Sequence, residues 1–223
     1  MNESLEARKI FELARQLLNQ PSEIVPEAYP EYESAVSAFV DANDSPVAVS
    51  LAIDMDKIGF QGGTDRALAL YPILKAFDGK FVASSEILLE LSIMGSAIGG
   101  PFLEEAPTIL KKAFDVDNSN YYVLWHIWGQ YITPDFPESL RLSENDLEHE
   151  RICIGKILKI RPSDKLARTI EDWLVKHQRP YVRSRDVPVP IWSIVQDRRP
   201  FAEKSLGDLL TPLHNPRGTT TAE

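Results

Sequence analysis

Residues 62–78 read GGTDRALALYPILKAFD, and residues 99–115 read GGPFLEEAPTILKKAFD. The two stretches align over 17 positions without a gap, 37 residues apart, and seven positions are identical. The shared residues are the opening glycine pair, one alanine and the closing Lys-Ala-Phe-Asp. Self-similarity at such a period is typical of helical units that stack on one another. The chain is therefore expected to be organised around a repeated helical unit.

A degraded third copy lies upstream, around Phe39. Phe39 precedes Phe77 by 38 residues, and Phe77 precedes Phe114 by 37. Each phenylalanine is followed by a polar loop and then by an apolar segment of helix length. These segments span residues 46–58, 84–98 and 119–132. Because glycine adopts positive φ readily, the Gly-Gly pairs predict tight turns between helices. The repeat predicts equivalent buried positions for Phe77 and Phe114.

In period and pattern, residues 25–132 resemble the HEAT and armadillo class of two-helix repeats. The resemblance implies an all-α fold, a right-handed α-solenoid of about three helix pairs. Helices at 3–19 and 143–177 are expected to cap the stack, which gives a single helical domain over residues 1–177. Residues 178–223, rich in proline and arginine, are expected to run extended over the helical body, with the last ~10 residues disordered.

Charge is distributed unevenly along the chain. Residues 1–150 hold 25 Asp/Glu and 10 Lys/Arg, a net charge of −15, whereas residues 151–223 hold 8 and 14, a net charge of +6. The acidic part repels nucleic acid and attracts basic surfaces, so a nucleic-acid partner is not expected. The basic part either folds back on the acidic part or binds an anionic ligand.

Membrane and secretory features are missing from the sequence. No apolar run approaches the roughly 18 residues of a membrane span. The N-terminal stretch lacks the basic start and the apolar block of a signal peptide. The single cysteine, Cys153, excludes an internal disulfide framework and a cysteine zinc site. We expect a cytoplasmic protein without a membrane partner.

Motifs for catalysis or cofactor binding are also missing: there is no Walker-type loop, dinucleotide fingerprint, nucleophile elbow or HExxH. Asp146 and His149 share a helix face, but a di-iron bundle needs a second such pair, and the sequence has none. His126 lies among Trp125, Ile127 and Trp128, as a hydrogen-bonded core histidine would. The sequence predicts no catalytic residue, no cofactor and no metal.

Two groups of residues are candidates for contacts with other molecules. The first combines an aromatic cluster and a carboxylate pair: Tyr121, Tyr122, Trp125, Trp128, Glu104 and Glu105. The aromatic cluster includes a stripe at helical spacing, which fits either a helical core or an exposed recognition surface. The second group is basic and is a candidate for binding an anion or for docking the tail: Arg179, Arg183 and Arg185.

These features favour a non-catalytic protein that binds another protein. A stoichiometric inhibitor fits, in its sharpest form an immunity-type protein that neutralises a basic toxin or nuclease by charge complementarity. One alternative is an all-α enzyme whose site is assembled from dispersed Asp, Glu and His residues, without a local motif. Another is a structural or assembly subunit with a large exposed apolar patch.

Overall fold

The computed structural model describes residues 5–19, 29–42, 45–56, 63–80, 84–131, 146–181, 198–200 and 207–210. Over these ranges the chain is helical with turns and short connections, and no strand occurs. The helices are α1 (Leu5–Leu18), α2 (Tyr29–Ala42), α3 (Ser45–Asp56), α4 (Gly63–Lys80), α5 (Ser85–Ile98), α6 (Pro101–Val116), α7 (Tyr121–Tyr131), α8 (Asp146–Ile160) and α9 (Lys165–His177). The all-α fold class expected from the sequence is confirmed for this part of the chain.

Some of the expectations concern residues outside those ranges. Gly62 of the first glycine pair lies outside them, as does most of the proline- and arginine-rich segment after residue 181. The closing residues 214–223 lie outside them as well.

The turn between α5 and α6 is built as the glycine pair predicts. Ser84 caps the start of α5, where its side chain accepts a hydrogen bond from the Ile87 amide at 3.5 Å. Gly99 and Gly100 both have positive φ, 82° and 55°, and Pro101 opens α6. Proline is well placed there because the first residues of a helix have no intrahelical acceptor for an N–H. The pair therefore forms the tight helix-to-helix turn.

Helices α5 and α6 approach each other closely at Gly95. A Cβ atom at this position would lie 3.0 Å from the backbone oxygen of Phe102, closer than carbon and oxygen atoms normally pack. The absence of a side chain lets the first turn of α6 rest against α5. The position of Phe102 is therefore fixed by backbone packing.

Helix contacts join mainly elements that are adjacent or second neighbours along the chain. Helix α5 packs against α4, α6 and α7, and α2 packs against α1, α3 and α4. The described side chains of α7, residues 121–129, are all buried. The buried residues of the helices form one continuous hydrophobic cluster. A contact between α1 and α4 joins elements further apart in the chain.

Repeat-equivalent lysines make similar contacts. Lys75 on α4 pairs with Glu33 on α2 at 3.0 Å, and Lys112 on α6 pairs with Asp78 on α4 at 2.6 Å. Each lysine thus pairs with a carboxylate on the helix two elements earlier in the chain.

The repeat-equivalent phenylalanines differ in burial, which corrects the expectation of equivalent positions. Phe77 is fully buried, whereas Phe114 is half-buried at the edge of the core. The Lys156 ammonium of α8 lies 5.5 Å from the centre of the Phe114 ring. The ring of Phe114 is thus next to a charged side chain and remains partly exposed.

Candidate interaction site

Helices α2, α4 and α6 each present an aromatic side chain and, about one turn later, a charged one. The pairs are Tyr29 and Glu33, Tyr71 and Lys75, and Phe102 and Glu105. Residues three or four positions apart lie on the same face of a helix. Each charged residue is therefore on the face that carries its aromatic neighbour.

The aromatic residues of the three helices meet in one cluster. The Phe102 ring packs edge-on against Tyr29, with centroids 5.1 Å apart, and against Tyr71, with centroids 5.0 Å apart. Edge-to-face packing at such distances is favoured by the ring quadrupoles. Both tyrosines are buried. We call Tyr29, Tyr71, Phe102, Glu33 and Glu105 the tyrosine–glutamate site.

The two tyrosine hydroxyl groups of the site are buried, and neither has a hydrogen-bond partner in the part of the chain that the structure describes. Burial, followed by the charges of Glu105 and Glu33, raises the pKa of Tyr71 to about 12. Burial, followed by the charge of Glu33 and weaker effects that include Glu105, also raises the pKa of Tyr29. Both hydroxyls are therefore neutral at physiological pH and lie within the field of the same two carboxylates.

A lysine already lies beside this site. The Lys75 ammonium is 3.0 Å from a Glu33 carboxylate oxygen and 5.8 Å from the centre of the Tyr71 ring. The side chains of Lys75 and Glu33 are 47% and 37% exposed, so water screens their attraction. The site thus accommodates a cationic group that is weakly held.

Glu104 and Glu105, the predicted carboxylate pair, are both exposed on α6. Across the described helices neither has an ion-pair partner. Of these two carboxylates, Glu105 raises the pKa of both tyrosine hydroxyls, whereas Glu104 does not contribute to either shift. The structure therefore distinguishes Glu105, which acts on the tyrosine hydroxyls, from Glu104, which does not, although the sequence predicted the two together.

The predicted aromatic cluster is not an exposed recognition surface. Its four side chains lie in the core, with relative exposures between 0% and 8%: Tyr121, Tyr122, Trp125 and Trp128. Of the two alternatives that the helical spacing allows, the exposed surface does not apply, because neighbouring helices and basic side chains cover α7. These four residues are part of the hydrophobic core.

Two arginines from the basic part of the chain lie against the α7 aromatics. The Arg161 guanidinium is 3.8 Å from the centre of the Tyr121 ring. The Arg198 guanidinium is 4.6 Å from the centre of the Trp125 ring and 3.9 Å from a carboxylate oxygen of Asp164. These contacts use the π faces and a carboxylate to hold basic residues on the helical body.

Arg179, one of the three predicted anion or docking residues, is exposed and lies two residues beyond the end of α9. Its guanidinium is 4.8 Å from the centre of the Trp173 ring. Two residues further along, Tyr181 donates its backbone N–H to a carboxylate oxygen of Glu150 at 2.9 Å. Arg183 and Arg185 lie outside the described residues.

The reactive side chains of the core are held in neutral forms. Burial, together with the charge of Arg199, lowers the pKa of His126 to about 4, although a hydrogen bond to the Arg198 backbone opposes the shift. Burial raises the pKa of the Cys153 thiol to about 12. Within the described ranges no three His, Cys, Asp or Glu side chains come together as a metal site requires.

Sequence reasoning missed the tyrosines of the site. Three prolines within residues 21–30 disfavour a regular helix around Tyr29, whereas α2 begins at that residue. Tyr71 and Phe102 occupy different positions of the repeat, so the alignment of the two copies does not connect them. The aromatic-then-charged spacing on three helices is the signal that points to them.

No described helix is both long enough and apolar enough to cross a membrane. No protein-family model matches this sequence, and neither a curated protein nor a solved structure matches it significantly.

Proposed function

We propose that α2 to α7 form a right-handed α-solenoid of three helix pairs, similar in plan to HEAT and armadillo repeats. The contacts of α4 with α2 and α5, and of α5 with α7, support this arrangement. The matching backward contacts of Lys75 and Lys112 support it too.

The protein acts, in this proposal, by binding a basic protein rather than by catalysis. Helices α2 to α6 carry 12 Asp/Glu against 5 Lys/Arg. The observation that carries the proposal is the exposed carboxylate of Glu105 near that of Glu33: among the described residues Glu105 has no ion-pair partner, and Glu33 pairs with Lys75 alone. Such a surface attracts a basic partner and steers its approach. A stoichiometric inhibitor of the immunity type, located in the cytoplasm, is the function that fits these properties best.

The proposal is tested by comparing two forms of the tagged protein. The wild type and a Glu33→Gln/Glu105→Gln variant are used to capture proteins from the native host, with isotope labels that distinguish the two captures. We expect a basic protein to be enriched by the wild type and depleted from the variant. Calorimetry with that protein should give one-to-one binding that weakens as salt rises, because the attraction between exposed charges is screened. The activity of the captured protein should fall to zero at one equivalent.

Two controls define the limits of this test. Glu171→Gln on α9 removes one carboxylate outside α2 to α6, from an exposed pair with Arg168. This variant should retain the partner. Capture of an acidic protein, or equal capture by the double glutamine variant, contradicts the proposal. Purification with a bound small molecule and no protein partner supports the enzyme alternative instead.

A further inference from the structure

Two buried hydroxyl groups without partners mark the tyrosine–glutamate site as incomplete. In the unbound protein the hydroxyls of Tyr29 and Tyr71 are enclosed, and neither makes a hydrogen bond with a described residue. Burying a polar group without a partner costs free energy, so native structures rarely leave one unsatisfied. Here two such groups occur together, on rings that both touch Phe102. A ligand with hydrogen-bond donors would satisfy both.

The surroundings of the hydroxyls specify the charge of that ligand. Glu105 lies on the same face of α6 as Phe102, three residues further along, and Glu33 lies on the same face of α2 as Tyr29. Carboxylates and tyrosine oxygens both accept hydrogen bonds, and aromatic faces attract cations. An anion would be repelled, and an apolar group would leave the hydroxyls unsatisfied. The ligand is therefore a cation with several N–H donors.

A guanidinium group meets this requirement better than an ammonium group. It carries five N–H donors in one plane and can bind a carboxylate through two parallel hydrogen bonds while stacking on aromatic rings. The site has four acceptor groups, two carboxylates and two hydroxyls. They match a planar group whose N–H donors point in several directions. Lys75 supplies only a point charge at the edge of the site, close to Glu33 and Tyr71.

We infer that the tyrosine–glutamate site receives one arginine side chain of a basic protein partner and that Lys75 takes its place in the unbound protein. The arginine displaces the Lys75 ammonium from Glu33 and pairs with Glu105. The hydroxyls of Tyr29 and Tyr71, enclosed in the unbound protein, become its acceptors only after the Lys75 side chain has moved aside. Displacement is easy because the ion pair of Lys75 and Glu33 is largely exposed. This inference rests on the proposed function, since it names the group of the partner that the acidic surface recognises.

The test uses three peptides that differ in one side chain. Acetyl-Gly-Gly-Arg-Gly-Gly-amide is compared with the same peptide carrying lysine or citrulline, a neutral isostere of arginine. Each is titrated into the full-length protein labelled with ¹³C in its tyrosine rings. The signals of Tyr29 and Tyr71 are assigned from Tyr29→Phe and Tyr71→Phe. We expect saturable shifts of these two signals with the arginine peptide, weaker binding of the lysine peptide and no saturation with citrulline.

Variants separate the roles of the charged residues. Glu105→Gln should weaken binding of the arginine peptide about tenfold, because it removes a charge-assisted hydrogen bond. Glu104→Gln removes the same charge from the adjacent exposed position and should change the dissociation constant less than about twofold. Lys75→Met should tighten binding about two- to fivefold, because it removes the competing cation. A role of Lys75 in stability alone predicts no gain in affinity.

Each outcome decides the inference. Equal responses to arginine and citrulline, shifts spread over all tyrosine signals, or unchanged binding by Glu105→Gln would overturn it, provided that circular dichroism shows the variant folded. Failure of the inference differs from failure of the proposed function. A basic partner that binds wild type and Glu105→Gln equally but is released by salt leaves the proposed function standing without the arginine site. Arginine-peptide binding without any basic partner leaves the site standing without the proposed function.

Discussion

Asp164 joins three parts of the molecule through one carboxylate that is only 5% exposed. One oxygen caps α9 by accepting the backbone N–H groups of Leu166 and Ala167, both at 3.0 Å. The other oxygen accepts the Tyr121 hydroxyl of α7 at 2.7 Å and lies 3.9 Å from the Arg198 guanidinium. Replacing Asp164 with alanine removes all of these contacts at once.

The cost of Asp164→Ala follows from adding its separate contributions. Loss of an N-cap residue costs about 1 kcal/mol. Loss of a hydrogen bond to a charged group costs about 1.5–3 kcal/mol and leaves the Tyr121 hydroxyl without its acceptor. We therefore expect Asp164→Ala to lower the free energy of unfolding by about 3 kcal/mol. Asp164→Asn keeps an oxygen that can cap α9 and should cost only about 1 kcal/mol.

Urea unfolding monitored by circular dichroism measures these changes, provided that the m value, the dependence of the unfolding free energy on urea concentration, is the same for all variants. A double-mutant cycle with Tyr121→Phe should show a coupling of about 1–2 kcal/mol between the two side chains. Asp172→Ala, on the exposed side of α9, is the matched control and should change stability by less than about 0.5 kcal/mol. Similar losses of unfolding free energy for Asp164→Ala and Asp172→Ala, or a coupling energy near zero, would refute the conclusion that Asp164 links α9 to α7.

Three further predictions concern the core. Phe77→Ala should cost about 3–5 kcal/mol in urea unfolding, and Phe114→Ala clearly less because its ring is half-buried; equal losses would contradict this difference. Gly95→Ala should lower stability by up to about 2 kcal/mol, since overpacking against the Phe102 backbone exceeds the gain in helix propensity; a more stable variant would show that α6 yields freely. Between pH 7.5 and 5 the free energy of unfolding should fall by about 2 kcal/mol through His126, because its pKa is about 4 when folded and about 6.5 when unfolded, so the unfolded chain binds the proton first. His126→Leu should flatten the unfolding profile over this window, and an unchanged profile would contradict the assignment.

Local signals in the sequence located the helices well. Apolar spacing and helix-end residues indicated segments that agree with most observed helices within a few residues, and the glycine pair at Gly99 indicated a turn. These features depend on interactions between residues close in the chain, which a sequence displays directly.

Contacts between distant residues were not readable in the same way. The spacing of Tyr121, Trp125 and Trp128 defines a helix face, but it does not reveal whether another element covers that face. Arg198 covers part of it from far along the chain. The tyrosine–glutamate site likewise depends on the packing of Phe102 against α2 and α4, which no local pattern encodes.

The distribution of the tyrosine–glutamate site over α2, α4 and α6 sets an order of events during synthesis. A nascent chain that ends at Ile98 already carries both tyrosines, but it lacks Phe102 and Glu105. Only when α6 has left the ribosome and folded back on α5 do the three helices enclose the site. An incomplete chain therefore lacks the arginine site that we propose, and the competence to hold a partner there arises late in translation, in one step with the closure of the α5–α6 hairpin.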